Sequence, residues 1–522
     1  MGTPLAEDGT DYRASEETPL ISGAATTATN SEDEVDPRDK YKWPVIILAY
    51  SIVFLVELSV GISNPAWNAL LEKGICAEIH PELAHLLVAG DENLVCKEPA
   101  VQGKLAMYRG WSYTLECIPT ILLAVPYGSL SDSLGRKPVG MLSFVGMTVV
   151  MIWYEVVFYF PLPMWAFLWS FVWYFIGGGS PVGVSMMYTM LADVVHVDEM
   201  ASVLFRFFSV FMVSTLVSNP LGGFLLSQSP WVALITGNLI MLSSLVAVWF
   251  LPETLIVRQW HDVKAGKTAD ASPALASQDS GGGDDPKKRG PRAAIIAARE
   301  KLLQIWGFLV SNKNIVVLML PLIFQDLGRY LEELLLQYAT KRYGWSWSKA
   351  SYFLTLKSAS FIVMLTFLLP AISTFCLHSL DLSPLSKDLW LSRWSGASLI
   401  LADLVITFSY TPALYALGLV LLAGGCGLPP LIRSLLNAQV EPHHVGILNT
   451  LLGFLDTLGV MIAAPIFSNA LRKGIDLGGG WIGLPFAAGT CITIVATGIL
   501  WVYRIPRQPQ ERADGDEEGE VA

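Results

Sequence analysis

Twelve apolar runs of about helix length constrain this chain more than any other feature of its sequence. A hydrocarbon core about 30 Å thick is crossed by roughly 20 helical residues, and a helix satisfies its own backbone hydrogen bonds inside lipid. The sequence therefore predicts an all-α, multi-pass integral membrane protein. The twelve predicted spans are 43–63, 105–127, 139–160, 164–191, 203–226, 231–251, 314–336, 351–375, 395–409, 412–435, 446–470 and 481–503.

The charge of the chain lies mostly in its two tails. Of the 522 residues, 53% are hydrophobic and only 15% are charged, which is low for a soluble protein. Residues 1–42 and 504–522 together carry −9 of the net charge of −11, so the membrane-embedded body is close to neutral. We expect a disordered tail over 1–42, an acidic tail over 504–522 and no cleavable signal peptide, because the first 42 residues are polar.

The twelve spans fall into two groups of six. A polar segment, 252–313, separates residues 43–251 from residues 314–503, and we expect it to be a flexible linker with an amphipathic helix near 293–310. A shift of 245 residues aligns Gly179 with Gly424, Leu191 with Leu436, Val195 with Val440, and Pro220 with Pro465. This weak internal similarity predicts two pseudo-repeat halves of six helices each.

Positive charges predict which side of the membrane holds the termini. The short loops near 161–163, 227–230 and 410–411 contain no Lys or Arg. Because cytoplasmic loops are enriched in both residues, the termini are predicted to be cytoplasmic. The positive residues on the side of the termini are Arg136, Lys137, the cluster 287–292, Lys387, Arg393 and Arg504.

The cysteines bear on disulfides rather than on metal binding. The segment 64–104 is predicted to be a long outer or luminal loop, and it holds Cys76 and Cys96. Disulfides persist on that side, so we expect a Cys76–Cys96 bridge, with two free thiols as the alternative. The six cysteines contain no C-x-x-C pair, and neither a P-loop nor a Ser-His-Asp arrangement is present. We therefore expect no metal, no cofactor and no enzymatic activity.

The loop between the second and third spans carries an unusual set of residues. Residues 128–137 read Gly-Ser-Leu-Ser-Asp-Ser-Leu-Gly-Arg-Lys. The two glycines permit a tight turn, the two cations mark a cytoplasmic loop, and Asp132 needs a helix N-terminus or an arginine as its partner. The G-x-x-x-D-x-x-G-R-K spacing resembles the signature loop of the major facilitator superfamily.

That resemblance implies two halves that rock about a solute site near mid-membrane and expose it to each side in turn. It also implies two contacts, in which Asp132 caps the start of span eleven near Val445–Gly446 and Arg136 pairs with Asp193. The tripeptide Pro-Glu-Thr at 252–254 is similar to a further family feature. The conformational gate is then expected to comprise Gly128, Asp132, Gly135, Arg136, Lys137 and Asp193.

The sequence departs from the family pattern in two places. Span four lacks the arginine that the family often has early in that span, and reads Trp-Tyr-Phe-Ile-Gly-Gly-Gly at 173–179. Span five reads Asn-Pro-Leu-Gly-Gly at 219–223, which matches the antiporter pattern only in part. The partial antiporter pattern favours efflux, whereas a long outer loop would also suit an importer resembling the proton-coupled folate carriers, so this branch and the fungal general-substrate or efflux branch both stay open.

Ionisable residues inside the spans are functional candidates, because burying each one costs a few kcal/mol. Asp326 and Arg329 share a helix face, which allows either a self-neutralising pair or a role in substrate binding. Arg433 is expected to be a snorkelling anchor at the cytoplasmic edge. The complete set of candidates is Glu57, Glu116, Asp326, Arg329, Lys357, Asp403 and Asp456.

Glu116, Asp403 and Asp456 have no cation nearby in the sequence, and we expect Lys357 to neutralise one of them across helices. Spans two and eleven are neighbours in the family fold, so Glu116 and Asp456 are expected to share protons. Glu57 and Asp326 are the rival pair, although Glu57 is placed nearer the outer face, where it would reach water.

The leading hypothesis is a secondary transporter that moves a small organic solute, coupled to protons, with efflux favoured over uptake. The alternative is a transporter-like membrane sensor without net transport. The expected partners are the lipid bilayer, a small solute and protons, without nucleic acid, and the protein is expected to be a monomer. The location is the plasma membrane or a vacuolar or lysosomal membrane, and the dileucine-like Glu-Glu-Thr-Pro-Leu-Ile at 16–21 is short enough to be coincidental.

Overall fold

The computed structural model describes residues 37–83, 94–160, 162–264, 313–440 and 445–505. In these ranges the chain forms helices and turns, without strands. Nine of the described helices are long and apolar enough to cross a membrane. The other three of the twelve predicted spans are span two, which is a long helix, and spans four and seven, which are each interrupted. The predicted amphipathic helix at 293–310, the dileucine-like segment and most of both tails lie outside the described residues.

The first half contains the following helices in chain order. Span one is α1 (Pro37–Ile79), span two is α2 (Pro99–Leu134), and span three is α3 (Arg136–Tyr159). Span four consists of a 3₁₀ segment (Met164–Phe175) followed by α4 (Gly179–Val194). Spans five and six are α5 (Val197–Gln228) and α6 (Pro230–Phe250), and a short helix, α7 (Leu255–Lys264), begins the predicted linker.

The second half repeats this plan with more interruptions. Span seven consists of α8 (Lys313–Arg329) and α9 (Leu331–Tyr343). Span eight consists of α10 (Trp347–Val363), a π turn (Met364–Leu368) and α11 (Leu369–His378), and span nine is α12 (Pro384–Thr407). Span ten consists of α13 (Pro412–Gly424) and α14 (Leu428–Asn437), span eleven is α15 (Val445–Leu477), and span twelve is α16 (Leu484–Val502).

Spans four and ten, which the 245-residue shift aligns, are both broken at a glycine cluster. Gly177, Gly178 and Gly179 have φ angles of 84°, 77° and 75°, which side-chain-bearing residues rarely adopt. A side chain at Gly177 would also collide with the backbone of Ser143 in span three. The break in span ten lies between Gly424 and Leu428, and two prolines then start α14 in positions that suit a helix N-terminus.

The predicted outer loop 64–104 is wrong over much of its length. Span one continues as a helix to Ile79, and span two already begins at Pro99. The chain stays helical beyond the predicted span because Leu71 and Ile75 are fully buried, and their packing stabilises these additional turns. Cys76 in this extension and Cys96 form a disulfide with a Cα–Cα distance of 5.3 Å. The helix of span one likewise begins at Pro37, inside the predicted tail.

The two halves contact each other along the outer part of the bundle, opposite the end that carries Arg136 and Lys137. Span two packs against span eleven there, with Gly110 beside Ser468 and Gly103 beside Arg472. The deepest hydrogen bond between these two spans joins Thr114 Oγ1 to the carbonyl of Met461 at 3.2 Å. Nearer the end that carries Arg136 and Lys137, which the sequence predicts to be cytoplasmic, a Cβ added at Gly128 or at Gly453 would meet nothing within 4 Å. The two halves are therefore in contact at the predicted outer side, and spans two and eleven are apart at these two glycines.

Candidate functional site

The loop after span two is built around the buried guanidinium of Arg136. Its side chain is 1% exposed. Nη1 lies 2.5 Å from Asp132 Oδ1 and donates to Ser131 Oγ at 3.0 Å. Nε lies 3.6 Å from Asp193 Oδ2, the acid after span four that the family pattern assigns to this arginine. A buried cation that contacts two carboxylates keeps the ends of spans two, three and four together.

Glu253, in the Pro-Glu-Thr tripeptide after span six, caps span three. Its carboxylate accepts from the backbone N–H of Arg136 at 2.9 Å and of Lys137 at 3.0 Å. A carboxylate at a helix N-terminus satisfies unpaired N–H groups and favours the helix dipole. Gly135, with φ of 109°, is required there because a side chain would collide with this carboxylate. Thr254 Oγ1 donates to Asp193 at 2.8 Å, which ties the tripeptide to the same network. The tripeptide was visible in the sequence, but its capping role was not.

Asp132 binds within its own half in this conformation. Besides Arg136, it lies 3.2 Å from Arg258 Nη1 of α7, the first helix of the linker. Its predicted partner at the start of span eleven involves side chains outside the described residues. Since spans two and eleven are apart at this end, we treat that contact as a proposal for the opposite conformation and not for this one.

Glu116 lies in a cavity inside the first half. The cavity has a volume of about 140 Å³ and is bounded by spans one, two, three, four and six. Glu116 Oε1 accepts from Ser112 Oγ at 2.7 Å and from Tyr154 Oη at 3.0 Å. The rings of Trp67, Tyr113, Tyr174 and Phe167 form further parts of the wall. In this conformation Glu116 is hydrogen-bonded by hydroxyl groups of its own half, and Asp456 is paired with Arg433. Sharing of protons between Glu116 and Asp456 stays a prediction.

Arg109, which the sequence analysis missed, joins this cavity to the other half. It is 5% exposed, and its Nη2 donates to the carbonyl of Glu333 in span seven at 2.8 Å. The carboxylate of Glu333 lies 3.8 Å from the same nitrogen. Glu57 is half-buried on span one, and its predicted position near the outer face stays a prediction. The sequence did contain a signal for this contact, because Arg109 lies inside the predicted span 105–127, where a charged side chain needs a partner.

Asp326 and Asp456 form the most unusual group of acids in the second half. Asp326 packs against Gly459, one turn beyond Asp456, which places the charges of the two acids close enough to act on each other. Asp456 Oδ2 lies 2.5 Å from Arg433 Nη2, so Asp456, which has no cation nearby in the sequence, obtains one from span ten, and Arg433 forms an ion pair in addition to its expected role as an anchor. The two residues are 23 positions apart in the chain, so the pair could not be predicted from spacing, and the packing of spans ten and eleven brings them together. Arg329 contributes charge near Asp326 but lines a separate cavity.

That separate cavity, of about 30 Å³, holds Asp403 of span nine beside Arg329 and Glu332 of span seven. Lys357 of span eight forms an ion pair with Glu332, and so it does not neutralise Glu116, Asp403 or Asp456 directly. Asp403 itself is 6% exposed. The structure thus separates the candidate acids into three places, namely Glu116 in the first half, and Asp403 and the Asp326–Asp456 pair in the second.

The arrangement consists of two helical halves that pack together at one end, with buried acids and a cavity inside each half. The sequence model of the Major Facilitator Superfamily matches residues 107–387. The chain belongs to this superfamily of membrane transporters.

Relatives and solved structures are consistent with this assignment. The chain is 28% identical over 475 residues to the MFS efflux pump atnC of Emericella nidulans, covering 90% of this chain and 89% of that protein. It is 26% identical over 447 residues to the efflux pump ustT of Aspergillus flavus, covering 83% of each. The D-xylose-proton symporter structure matches with a TM-score of 0.59 at 14% identity, covering 89% of this chain and 98% of that one. That structural likeness supports the fold alone.

Proposed function

We propose that the protein is a secondary active transporter that exports a small organic solute by alternating access and takes up protons in exchange. The observation that carries the coupling is the Asp326–Asp456 pair. Asp326 Oδ2 and Asp456 Oδ1 are buried, and neither has another hydrogen-bond donor among the described residues. Two neighbouring buried acids repel each other when both are charged, and a proton on one of them removes that repulsion.

Arg433 pairs directly with one of the two acids, and Arg329 adds positive charge near the other. The group of Asp326, Asp456 and Arg433 carries one negative charge when both acids are ionised, and binding of a single proton makes that group neutral. Arg433 belongs to α14, the second helix of the broken span ten, and Asp326 belongs to α8, the first helix of the broken span seven. Movement of either span would change the contact between Asp326 and Asp456, and with it the affinity for the proton.

The direction of transport rests on the relatives. Two curated relatives that this chain matches over more than four fifths of its length are named efflux pumps. Export against a gradient requires an energy source, and the facing acids provide a site for protons moving the other way. We therefore place the solute site in the region between Glu116 and Asp403, and assign Asp326, Asp456 and Arg433 to the coupling.

The direct test uses purified protein in liposomes with a pH-sensitive dye inside. Ethidium serves as a cationic aromatic probe and fluorescein as an anionic one. Export coupled to protons predicts accumulation of at least one probe driven by a pH gradient, together with an opposite proton flux that needs the probe. Asp381→Asn, which removes an exposed loop carboxylate, is the matched control and should behave as the unmodified protein. Probe movement that equilibrates at the same level with and without the gradient would contradict proton coupling.

Alternating access also requires a change of contacts at the cytoplasmic end. We propose that Asp132 leaves Arg258 and reaches the start of span eleven when this end closes. Asp132→Asn should then slow turnover about tenfold with equal abundance in the membrane, because it weakens one end state. Turnover at the unmodified rate would show that Asp132 stabilises only its own half.

A further inference from the structure

A buried carboxylate near the outer end of span one collects hydrogen bonds from both halves. Glu72 is 6% exposed. It accepts from Lys97 Nζ at 2.8 and 2.9 Å and from Gln102 Nε2, all within the first half. It also accepts from the indole Nε1 of Trp347, at the start of span eight in the second half, at 2.6 Å. Trp347 is itself 3% exposed, so water does not compete for this bond.

The disulfide holds the first-half donors in place. Cys76 lies four residues after Glu72 on the same helix, and therefore on the same face. Its partner Cys96 immediately precedes Lys97, and the carbonyl of Cys96 accepts from Gln102 Nε2 at 3.0 Å. The covalent bridge thus fixes the segment that supplies Lys97 to Glu72.

The same segment contacts the second half through its backbone. The carbonyl of Gln102 accepts from Gln337 Nε2 of span seven at 3.0 Å, and the carbonyl of Lys97 accepts from Lys341 Nζ. Gln102 and Gln337 are both fully buried. Glu72, the disulfide and these two carbonyls therefore form one cross-half cluster on the closed side of the molecule.

We propose that Glu72 is the gating residue of the outer side, where it holds Trp347 when the molecule is closed and releases it when the outer side opens. The charge of Glu72 does not become an obstacle to opening, because Lys97 and Gln102 move with the first half and keep the carboxylate paired. Of the hydrogen bonds to Glu72 itself, only the one from Trp347 must break on opening. This role concerns the gate itself and holds whichever solute or ion the protein carries.

The size of the effect follows from the type of bond. A hydrogen bond to a charged acceptor shifts an equilibrium by roughly tenfold to a hundredfold. Loss of the Glu72–Trp347 bond should therefore raise the population of the outward-open state by at least about tenfold, provided that the closed state remains the major one.

The test measures opening without any solute. Ser468→Cys on span eleven is the reporter, since Ser468 is fully buried against Gly110 and Tyr330 on the closed side. The free cysteines Cys117, Cys376, Cys426 and Cys491 are replaced by serine or alanine, and the disulfide is kept. The rate of labelling by a membrane-impermeant maleimide is then followed in liposomes containing the purified protein.

Trp347→Phe, which keeps an aromatic ring but removes the indole N–H, should label about tenfold faster than the reporter protein alone. Glu72→Gln should label faster as well. Glu78→Gln is the matched control, because Glu78 lies on the same helix extension and pairs with Lys104 at 2.6 Å within the first half. It should label within twofold of the reporter protein. Equal labelling of the Trp347 variant and the Glu78 control would overturn the proposal.

A general loosening of the fold is separated from gating by thermal unfolding. Trp347→Phe should accelerate labelling while its unfolding midpoint stays close to that of the Glu78 variant. If Glu72→Gln does not fold, the Trp347 variant alone decides, since it leaves Glu72, Lys97 and the disulfide intact. Faster labelling that only accompanies a lower unfolding midpoint would assign Glu72 a structural role and reject the gate.

Discussion

The two halves of the molecule bury their mid-membrane acids in different ways. In the first half, Glu116 receives two hydroxyl donors, from Ser112 and Tyr154. In the second half, Asp456 receives a guanidinium from Arg433 and faces a second acid, Asp326. Hydroxyl groups can hydrogen-bond a carboxyl group in either protonation state, whereas two neighbouring acids repel each other unless one of them holds a proton. We therefore propose that proton coupling lies in the second half and that Glu116 contributes solute contacts from the first.

The largest expected effect is that of Asp456→Asn. It removes the partner of Arg433 as well as one of the two acids, so we expect loss of gradient-driven accumulation and a lower unfolding midpoint. The loss of stability should be smaller than the about 3–5 kcal/mol typical of a fully buried pair, because the Arg433 side chain is 38% exposed. Transport in liposomes and thermal unfolding measure the two effects. Unchanged accumulation would contradict a role of the second-half acids in coupling.

Asp326→Asn should have the more selective effect. It leaves the Arg433–Asp456 ion pair in place, so the protein should unfold near the normal temperature. Without the second acid the shared proton is lost, and accumulation driven by a pH gradient should fall to background while solute exchange at equal concentrations continues. A variant that exchanges and also accumulates normally would show that the second half does not carry the coupling.

Glu116→Gln is the corresponding change in the first half. The amide oxygen still accepts from both hydroxyls, so folding should be little affected. We expect the apparent KM for the transported probe to change several-fold, while the dependence of accumulation on the pH gradient persists. Loss of that dependence, with Asp326→Asn unaffected, would reverse the roles assigned to the two halves.

Tyr154→Phe should have the smallest effect. It removes one of the two hydrogen bonds to Glu116 and keeps the ring that stacks on Phe167 at 4.4 Å between centroids. A single bond of this kind contributes about 0.5–1.5 kcal/mol, so the unfolding midpoint should fall by a few degrees at most. Accumulation should retain its pH dependence. An effect as large as that of Asp326→Asn would mean that Tyr154 relays protons to Glu116.

Spans four and ten show how far the internal repeat could be followed from sequence. The shift of 245 residues brings together Gly179 and Gly424, and both residues lie at a break in a helix. The two breaks differ in geometry, since Gly177, Gly178 and Gly179 have positive φ angles whereas Gly425 has a φ of −84°. Glycine content predicts that a break is permitted. Which conformation it takes depends on neighbours such as Ser143 and Leu399, which lie far away in the chain.

The sequence by itself determined the class, the order of the spans and the loop after span two. Hydrocarbon thickness and backbone hydrogen bonding act locally along the chain, so runs of apolar residues are enough to predict helices in a membrane. The glycine, aspartate and arginine of the loop likewise lie within ten consecutive residues.

Tertiary structure alone decided the partners of the buried charges. Glu72 and Trp347 are 275 residues apart, and Arg109 meets Glu333 over 224 residues. Even Arg433 and Asp456, only 23 residues apart, are paired by the packing of spans ten and eleven rather than by spacing on one helix. A charge in lipid must find some partner, so the sequence shows that a partner is needed. The identity of that partner follows from which helix faces meet, and in this family the meeting faces change as the halves move.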